Sequence, residues 1–199
     1  MMITESFMET KTWEACDRIR SLARVFKQHE HNIMIAGGFA RDIALDREPT
    51  DIDIYMFTPT VKEETFLTAF LHAAFDNVDE VVEKSAEKPG YVNQLIYKVY
   101  GVTFTDPDVL PLDIIFLSRN PFNLADMDLL DKGARIKDHV LPFECNMSNA
   151  YMDHCGSVYV EEDFPRGALQ KVLNFSGIMT DQYKDKMKSK FPAWEVKDI

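Results

Sequence analysis

Two aspartates stand one residue apart inside an apolar segment, "TDIDIYMF" at residues 50–57. A β-strand has a side-chain period of two, so Asp51 and Asp53 project from one face, roughly 6–7 Å apart along the strand. Like charges this close raise each other's proton affinity unless a positive charge neutralises them. Mg²⁺ is commonly held by one or two carboxylates together with substrate phosphates. The pair therefore predicts a divalent-metal site, and a solvated acidic strand face is the ordinary alternative.

A third carboxylate, Asp113, lies within another apolar segment, "LPLDIIFLS" at residues 110–118. Burying an unpaired carboxylate is costly, so such a residue is expected to have a partner. If its strand lies beside the strand of the paired aspartates, the three carboxylates can hold two metal ions for an in-line displacement at phosphorus. A salt bridge to Arg119 or Arg135 is the competing interpretation.

The glycine pair Gly37-Gly38 ends the apolar run "NIMIAG" and directly precedes the helix-like "FARDIALD". Glycine lets the backbone approach a ligand closely, and the first N–H groups of a helix are free to bind phosphate. A phosphate cradle beside a carboxylate cluster predicts a site for a nucleoside triphosphate. Each motif is weak alone, but the order of Gly-Gly, paired aspartates and a later strand aspartate is more specific.

Together these motifs, "IAGGFARD…TDIDIYMF…PLDIIFL", resemble the polymerase-β-type nucleotidyltransferase superfamily over residues 33–118. The similarity is closest to the head domain of the CCA-adding and poly(A) polymerases, and small phage-encoded nucleotidyltransferases are similar too. The resemblance implies transfer of a nucleoside monophosphate from an NTP to an acceptor hydroxyl, with release of pyrophosphate. It implies Mg²⁺ or Mn²⁺ as the cofactor and an NTP as the substrate.

The resemblance also implies roles for individual residues. The metal ligands and catalytic groups would be Asp51, Asp53 and Asp113, the last of which assists the attacking hydroxyl. The residues expected at the nucleotide are Gly37, Gly38, Arg41, Asp42, Arg166 and Lys171. Arg41 has an equally plausible role in an ion pair with Asp42 or Glu48. Without the family, Arg166 and Lys171 are ordinary cations of a helix surface.

The acceptor stays open. The "RRDF"-type motif of the tRNA-specific enzymes has no counterpart after Asp113, and 199 residues leave no room for their helical neck, body and tail domains. An RNA 3′ end follows from the family, whereas a protein or small-molecule hydroxyl follows from the acidic surface. A catalytically silent module of this fold that regulates a host protein is the alternative from another class.

The net charge is −11, from 33 acidic and 22 basic side chains. A surface of this sign disfavours a large nucleic-acid interface, because it repels phosphate backbones. The basic run at the C-terminus is interpreted as a solvated helix face; it comprises Lys184, Lys186, Lys188 and Lys190. No apolar run approaches the ~18 residues of a membrane span. Three irregularly spaced cysteines are typical of reduced thiols, so the expected location is the cytoplasm, or the host cytoplasm if a phage encodes the protein.

Helices that alternate with strands predict an α/β (α+β) fold, a single domain over residues 1–199 with a mixed central sheet flanked by helices. The catalytic core is expected at 33–118, with a helical extension at about 120–199. Strands are expected at 32–37, 51–57, 78–84, 94–102, 110–118 and 157–162. Helices are expected at 6–30, 39–46, from 60 onward, and at 122–133, 166–177 and 181–190.

Overall fold

A computed structural model describes residues 17–19, 32–57, 62–84, 96–117, 145–152, 158–161, 163–175 and 181–199. Its helices, in chain order, are α1 (Gly38–Ala44), α2 (Glu63–Ala74), α3 (Asp163–Gln170) and α4 (Asp181–Lys190). The first five strands are β1 (Asn32–Ala36), β2 (Ile52–Phe57), β3 (Val78–Lys84), β4 (Ile96–Phe104) and β5 (Leu112–Leu117). Four shorter strands follow, β6 (Ala150–Met152), β7 (Val158–Val160), β8 (Val172–Phe175) and β9 (Glu195–Asp198).

The main sheet has seven strands in the order β3-β4-β5-β2-β1-β6-β7. Of the strands that the structure describes in this sheet, β2 and β5 pair in parallel and the other neighbours are antiparallel. Strands β8 and β9 form a separate parallel pair. The expected mixed sheet flanked by helices is confirmed. This parallel pair lies at the centre of the sheet. It carries Asp53 on β2 and Asp113 on β5, and Asp51 directly precedes β2.

One face of this sheet forms the hydrophobic core. Ile52 and Ile54 of β2 and Ile114 of β5 are fully buried there. Phe66 and Phe70 of α2, four residues apart and therefore on one side of the helix, belong to the same cluster. Burying one such side chain contributes about 1.5–3 kcal/mol. Since alternate residues of a strand point to opposite faces, this burial places the aspartates of β2 and β5 on the other face.

The C-terminal part differs from the expectation of a helical extension. Strands β6 and β7 extend the main sheet beyond the expected core, next to β1. The predicted helix at 166–177 is confirmed only for residues 166–170. Helix α3 ends at Gln170, Lys171 has a φ of 55°, and Val172–Phe175 is strand β8, so the rest of the prediction is wrong. The cause is long-range, because β8 pairs with a strand near the C-terminus that its local sequence does not reveal.

Other predicted elements have mixed outcomes. The helix at 181–190 is confirmed. Of the helix expected at 6–30, only residues 17–19 are described, and they are helical. The helix expected at 122–133 lies outside the described residues. Among the helices that the structure describes, none is long and apolar enough to cross a membrane.

Candidate active site

Parallel pairing of β2 with β5 assembles the acidic cluster. Asp53 and Asp113 are register partners on these strands. Asp51 lies two residues before Asp53 and directly precedes β2. One carboxylate oxygen from each of the three residues lies within 4.8 Å of the other two. The structure therefore brings together the three aspartates that the sequence singled out from segments 60 residues apart.

This cluster is short of positive charge. The pKa of Asp53 is raised from 3.8 to about 7, first by burial and then by the neighbouring carboxylates of Asp51 and Asp113. The backbone N–H of Gly38 and the ammonium of Lys186 act in the opposite direction without balancing it. Three carboxylates this close, with Asp53 held at a raised pKa, are an oxygen donor set that suits Mg²⁺ or Mn²⁺. The residues present thus fit the metal that the fold family implies.

The glycine turn lies directly against the cluster. Gly37 has a φ of 80°, which side chains rarely tolerate, and its N–H donates to the Ala150 carbonyl at 2.8 Å. The N–H of Gly38 donates to Oδ2 of Asp53 at 3.2 Å. A Cβ at Gly38 would lie only 3.2 Å from that same oxygen. Geometry favours glycine at Gly37 for its backbone conformation, and a side chain at Gly38 would force the Asp53 carboxylate to shift by a few tenths of an ångström.

Arg41 and Asp42 form a buried ion pair behind the glycine turn. Nε and Nη2 of Arg41 donate to the two carboxylate oxygens of Asp42 at 2.9 and 2.7 Å. Burial by itself would lower the pKa of Arg41, but the bond and charge of Asp42 outweigh it and the pKa is raised. The guanidinium also lies 5.7 Å from the centre of the Phe191 ring. Of the two interpretations of Arg41, the ion pair with Asp42 is the one that the structure contains.

Asp113 has a partner that the sequence did not suggest. Lys84, the last residue of β3, forms an ion pair with Oδ1 of Asp113. The proposed partners Arg119 and Arg135 lie outside the described residues. A salt bridge at Asp113 and membership of the acidic cluster therefore coexist. No local signal marks Lys84, because the contact depends on the order of strands in the sheet.

Two lysines of α4 also face the site, and the sequence interpretation missed them. Lys186 is close enough to Asp53 to lower its pKa. Lys190 is partly buried, and its pKa is lowered by that burial and by Arg41, while Asp42 and Asp51 act to raise it. The signal was present in the sequence: these lysines are one turn apart and border the apolar stripe of the helix, which Tyr183 and Met187 bury. The solvated-face interpretation is wrong for Lys190.

Arg166 and Lys171 are not drawn into the cluster. Both are exposed, and α3 packs against β8 and the turn at 146–148. Among the described residues, no hydrogen bond or ion pair connects either cation to the three aspartates. Their contact with a nucleotide stays a prediction.

The described part of the chain offers no support for a cysteine nucleophile. Cys145 is free and buried, and burial raises the pKa of its thiol to about 12. Cys16 and Cys155 lie outside the described residues. The acidic cluster therefore remains the candidate for catalysis.

No family model and no curated protein matches the sequence. Solved structures do match. A CCA-adding enzyme in its apo form I superimposes with a TM-score of 0.52 at 13% identity, over 90% of this chain and 38% of its own. A CCA-adding enzyme with CTP gives 0.51 at 13%, over 95% of this chain and 43% of its own. This chain shares its fold with a part of each of these CCA-adding enzymes.

A tRNA-processing enzyme in an apo form gives a TM-score of 0.50 at 15% identity, over 86% of this chain and 38% of its own. The chain thus spans about two fifths of the length of these proteins. At such identities the likeness establishes the fold, and the nucleotidyltransferase fold expected from the motifs is confirmed at that level. The similarity to phage proteins stays a prediction.

Proposed function

We propose that this protein is a metal-dependent nucleotidyltransferase that moves a nucleoside monophosphate from an NTP to an acceptor hydroxyl. The observation that carries the proposal is the group of three carboxylates whose oxygens lie within 4.8 Å of one another beside a glycine turn. The fold shared with CCA-adding enzymes supports it. A fold by itself does not determine activity, so the site has to carry the argument.

Asp51, Asp53 and Asp113 would hold Mg²⁺ or Mn²⁺. When bound, these ions neutralise phosphate charge and make the attacking hydroxyl more acidic. A bond forms between the acceptor oxygen and the α-phosphorus, the bond from that phosphorus to the β-phosphate oxygen breaks, and pyrophosphate leaves. Asp113 would orient the hydroxyl and receive its proton. Positioning and charge stabilisation supply most of the catalysis in such reactions.

The remaining side chains would bind the triphosphate. The Gly37-Gly38 turn admits phosphate oxygens close to the backbone, and the Arg41–Asp42 pair holds that turn in place. Lys186 and Lys190 bring positive charge from α4 toward the carboxylates. Arg and Lys are common clamps for transferring phosphoryl groups. Arg166 and Lys171 are proposed only as further contacts for the base or phosphates.

For the acceptor we propose an RNA 3′ end, in the cytoplasm or the cytoplasm of a phage host. A net charge of −11 limits the RNA interface to a small area around the site. If RNA is the acceptor, transfer falls steeply with salt, because each phosphate contact releases counterions. A flat salt response would point to a protein or small-molecule hydroxyl.

Label transfer tests this function. The protein is incubated with each α-³²P-labelled NTP and Mg²⁺ or Mn²⁺ in a cell lysate, beside the double variant Asp51→Asn/Asp53→Asn. Label that needs the wild-type aspartates and disappears with RNase establishes RNA tailing. Label lost only to protease establishes a protein acceptor. The absence of both label transfer and NTP binding would refute the proposed enzymatic activity.

One observation favours a second candidate, a catalytically silent module that regulates a host protein. Asp113 is already neutralised by Lys84, so the cluster has an internal cation that could replace the metal permanently. The melting temperature discriminates the two candidates. NTP with Mg²⁺ raises it in an enzyme, and the double aspartate variant abolishes the rise, because a ligand that binds the native state stabilises it. A silent module shows neither effect.

A further inference from the structure

We propose that Lys84 is an internal competitor of the metal: its ammonium holds Asp113 in the metal-free protein and has to leave that carboxylate when a divalent cation binds. The proposal rests on the proposed function, since it concerns the same carboxylates. It assigns Lys84 as a positioning residue that sets how tightly, and in which order, the site is loaded.

The contact depends on a path across the sheet that only a glycine permits. Lys84 is on β3, Asp113 is on β5, and β4 lies between them. Gly101 of β4 is the register partner of both Asp113 and Val82, so the side chain of Lys84 crosses β4 at Gly101 to reach Asp113. A Cβ on Gly101 would overlap Cε of Lys84 and lie within 2.9 Å of its Nζ. The missing side chain therefore forms the channel for the lysine.

The partial burial of this ion pair makes it more than an ordinary surface contact. The side chain of Asp113 is 13% exposed and that of Lys84 is 30% exposed. By comparison, Lys98 of β4 pairs with Glu64 and Glu83, whose side chains are both more than 60% exposed. Exposed pairs of that kind contribute little to stability, whereas a partly desolvated carboxylate left alone is unfavourable. Lys84 thus satisfies Asp113 while the metal is absent.

Competition follows from the shared carboxylate of Asp113. An ammonium in contact with Oδ1 of Asp113 repels a divalent cation that approaches the same carboxylate. The glycine turn contacts the cluster at Asp53 of β2. Lys84 comes from the opposite direction, from β3, and contacts Asp113 of β5. A metal ion can therefore bind near Asp53, beside the glycine turn, while Lys84 still holds Asp113. The ammonium of Lys84 has to move before Asp113 can act as a metal ligand.

Calorimetric titration of the full chain with Mn²⁺ alone tests the proposal. Lys84→Met removes the ammonium and keeps the apolar stem, so Mn²⁺ should bind about tenfold more tightly than to the wild type. Lys84→Arg keeps the cation and should stay within about twofold of the wild type. Lys98→Met makes the same change in net charge away from Asp113 and should also stay within about twofold. Lys84→Gln carries the same expectation as Lys84→Met if the latter does not fold.

Thermal melting provides a second readout. Without metal, Lys84→Met should melt below the wild type, because the ion pair between Lys84 and Asp113 is lost. Mn²⁺ should raise the melting temperature more in the variant than in the wild type. If Lys84 only held the sheet together, Lys84→Met would lower the melting temperature by the same amount without and with Mn²⁺.

The outcomes separate the two proposals. If the wild type binds Mn²⁺ through Asp51 and Asp53, and Lys84→Met binds it no more tightly, the competitor role of Lys84 is overturned and the proposed function stands. If neither protein binds Mn²⁺, or if Asp51→Asn/Asp53→Asn does not affect binding, the metal site itself is refuted, and with it the proposed function.

Discussion

Asp53 and Asp113 lie directly opposite each other on β2 and β5, the only parallel neighbours among the described strands of the main sheet. Gly101 is the register partner of Asp113 on the next strand, β4. A single row across the sheet thus contains two acidic residues and the glycine over which Lys84 passes. The metal site that we propose is confined to this row, the preceding Asp51 and the turn at Gly38, so each part can be perturbed separately.

Loss of the paired aspartates should abolish nucleotidyl transfer and leave the fold intact. Asp51→Asn/Asp53→Asn preserves side-chain size and the acceptor oxygen for the Gly38 N–H while removing two negative charges from the metal site. We expect transfer to fall by a factor of about 10³ or more, since metal ions supply several kcal/mol of charge stabilisation. The measurement is the initial rate of label transfer, with circular dichroism as the control. Retention of more than a tenth of the rate would contradict the assignment.

Asp53 should make the metal-free protein less stable as the pH rises. Its pKa is about 7 in the native state and 3.8 in the unfolded chain, so between these pH values the native state holds a proton that the unfolded chain has released. The contribution of Asp53 to stability is therefore most favourable near pH 4, declines as the pH rises toward 7 and is fully lost above it. The difference between the two values corresponds to at most about 4 kcal/mol.

The matched variant for this effect is Asp53→Asn. In EDTA at pH 8 it should have a larger free energy of unfolding than the wild type, with a difference that shrinks as the pH falls toward 4. Urea denaturation at pH 5 and pH 8 measures both values. An equal or smaller free energy of unfolding for the variant at pH 8 would show that the burial of Asp53 and its repulsion by Asp51 and Asp113 do not destabilise the native state. Such gains in stability at an active-site residue are expected where function requires strain.

The acidic cluster was predictable because each of its signals is local. The period of a strand places Asp51 and Asp53 on one face, and a charge within an apolar strand marks Asp113 as partnered. The glycine turn is likewise predictable from its position, because Gly37-Gly38 directly follows an apolar strand. These three features required only the assumption that the two strands are neighbours, which pairing of β2 with β5 satisfies.

What escaped prediction depends on contacts between distant segments. Lys84 reaches Asp113 only because β3, β4 and β5 are adjacent in this register and Gly101 leaves room. Residues 172–175 were predicted to be helical because their partner strand, residues 195–198, is not evident from either segment alone. Helix α4 was predicted correctly, but the surface that its lysines face is set by tertiary packing, with Phe191 against Arg41.

The lysines of α4 should affect nucleotide binding according to the face they occupy. Lys186 and Lys190 lie one turn apart; the charge of Lys186 acts on Asp53, and Lys190 is partly buried and coupled to Asp42 and Asp51. Lys188 is exposed on the same helix and, among the described residues, is not one of the main groups that shift the pKa of Asp53. Replacing Lys186 or Lys190 by Met should weaken binding of a non-hydrolysable NTP with Mg²⁺ by about five- to tenfold, because each removes a charge near the triphosphate. Lys188→Met removes the same charge and should change the dissociation constant less than about twofold. Equal effects of all three variants would indicate only a general influence of net charge.

Gly101→Ala should alter metal binding without removing any charge. The added methyl group would overlap the stem of Lys84, a flexible side chain that can move aside, so the fold should tolerate the change. Displacing the ammonium from Asp113 should tighten Mn²⁺ binding in the same direction as Lys84→Met but by a smaller factor, since the cation stays nearby.

The double variant Gly101→Ala/Lys84→Met separates this cause from a change in the sheet. If Gly101 acts only by giving Lys84 its path, the alanine has no further effect once the ammonium is gone, and the double variant binds Mn²⁺ as Lys84→Met does. Calorimetric titration of the wild type, the two single variants and the double variant with Mn²⁺ completes this double-mutant cycle. Additive effects of the two substitutions would mean that Gly101 influences the carboxylates by another route, and the channel for Lys84 would then not be what the glycine provides.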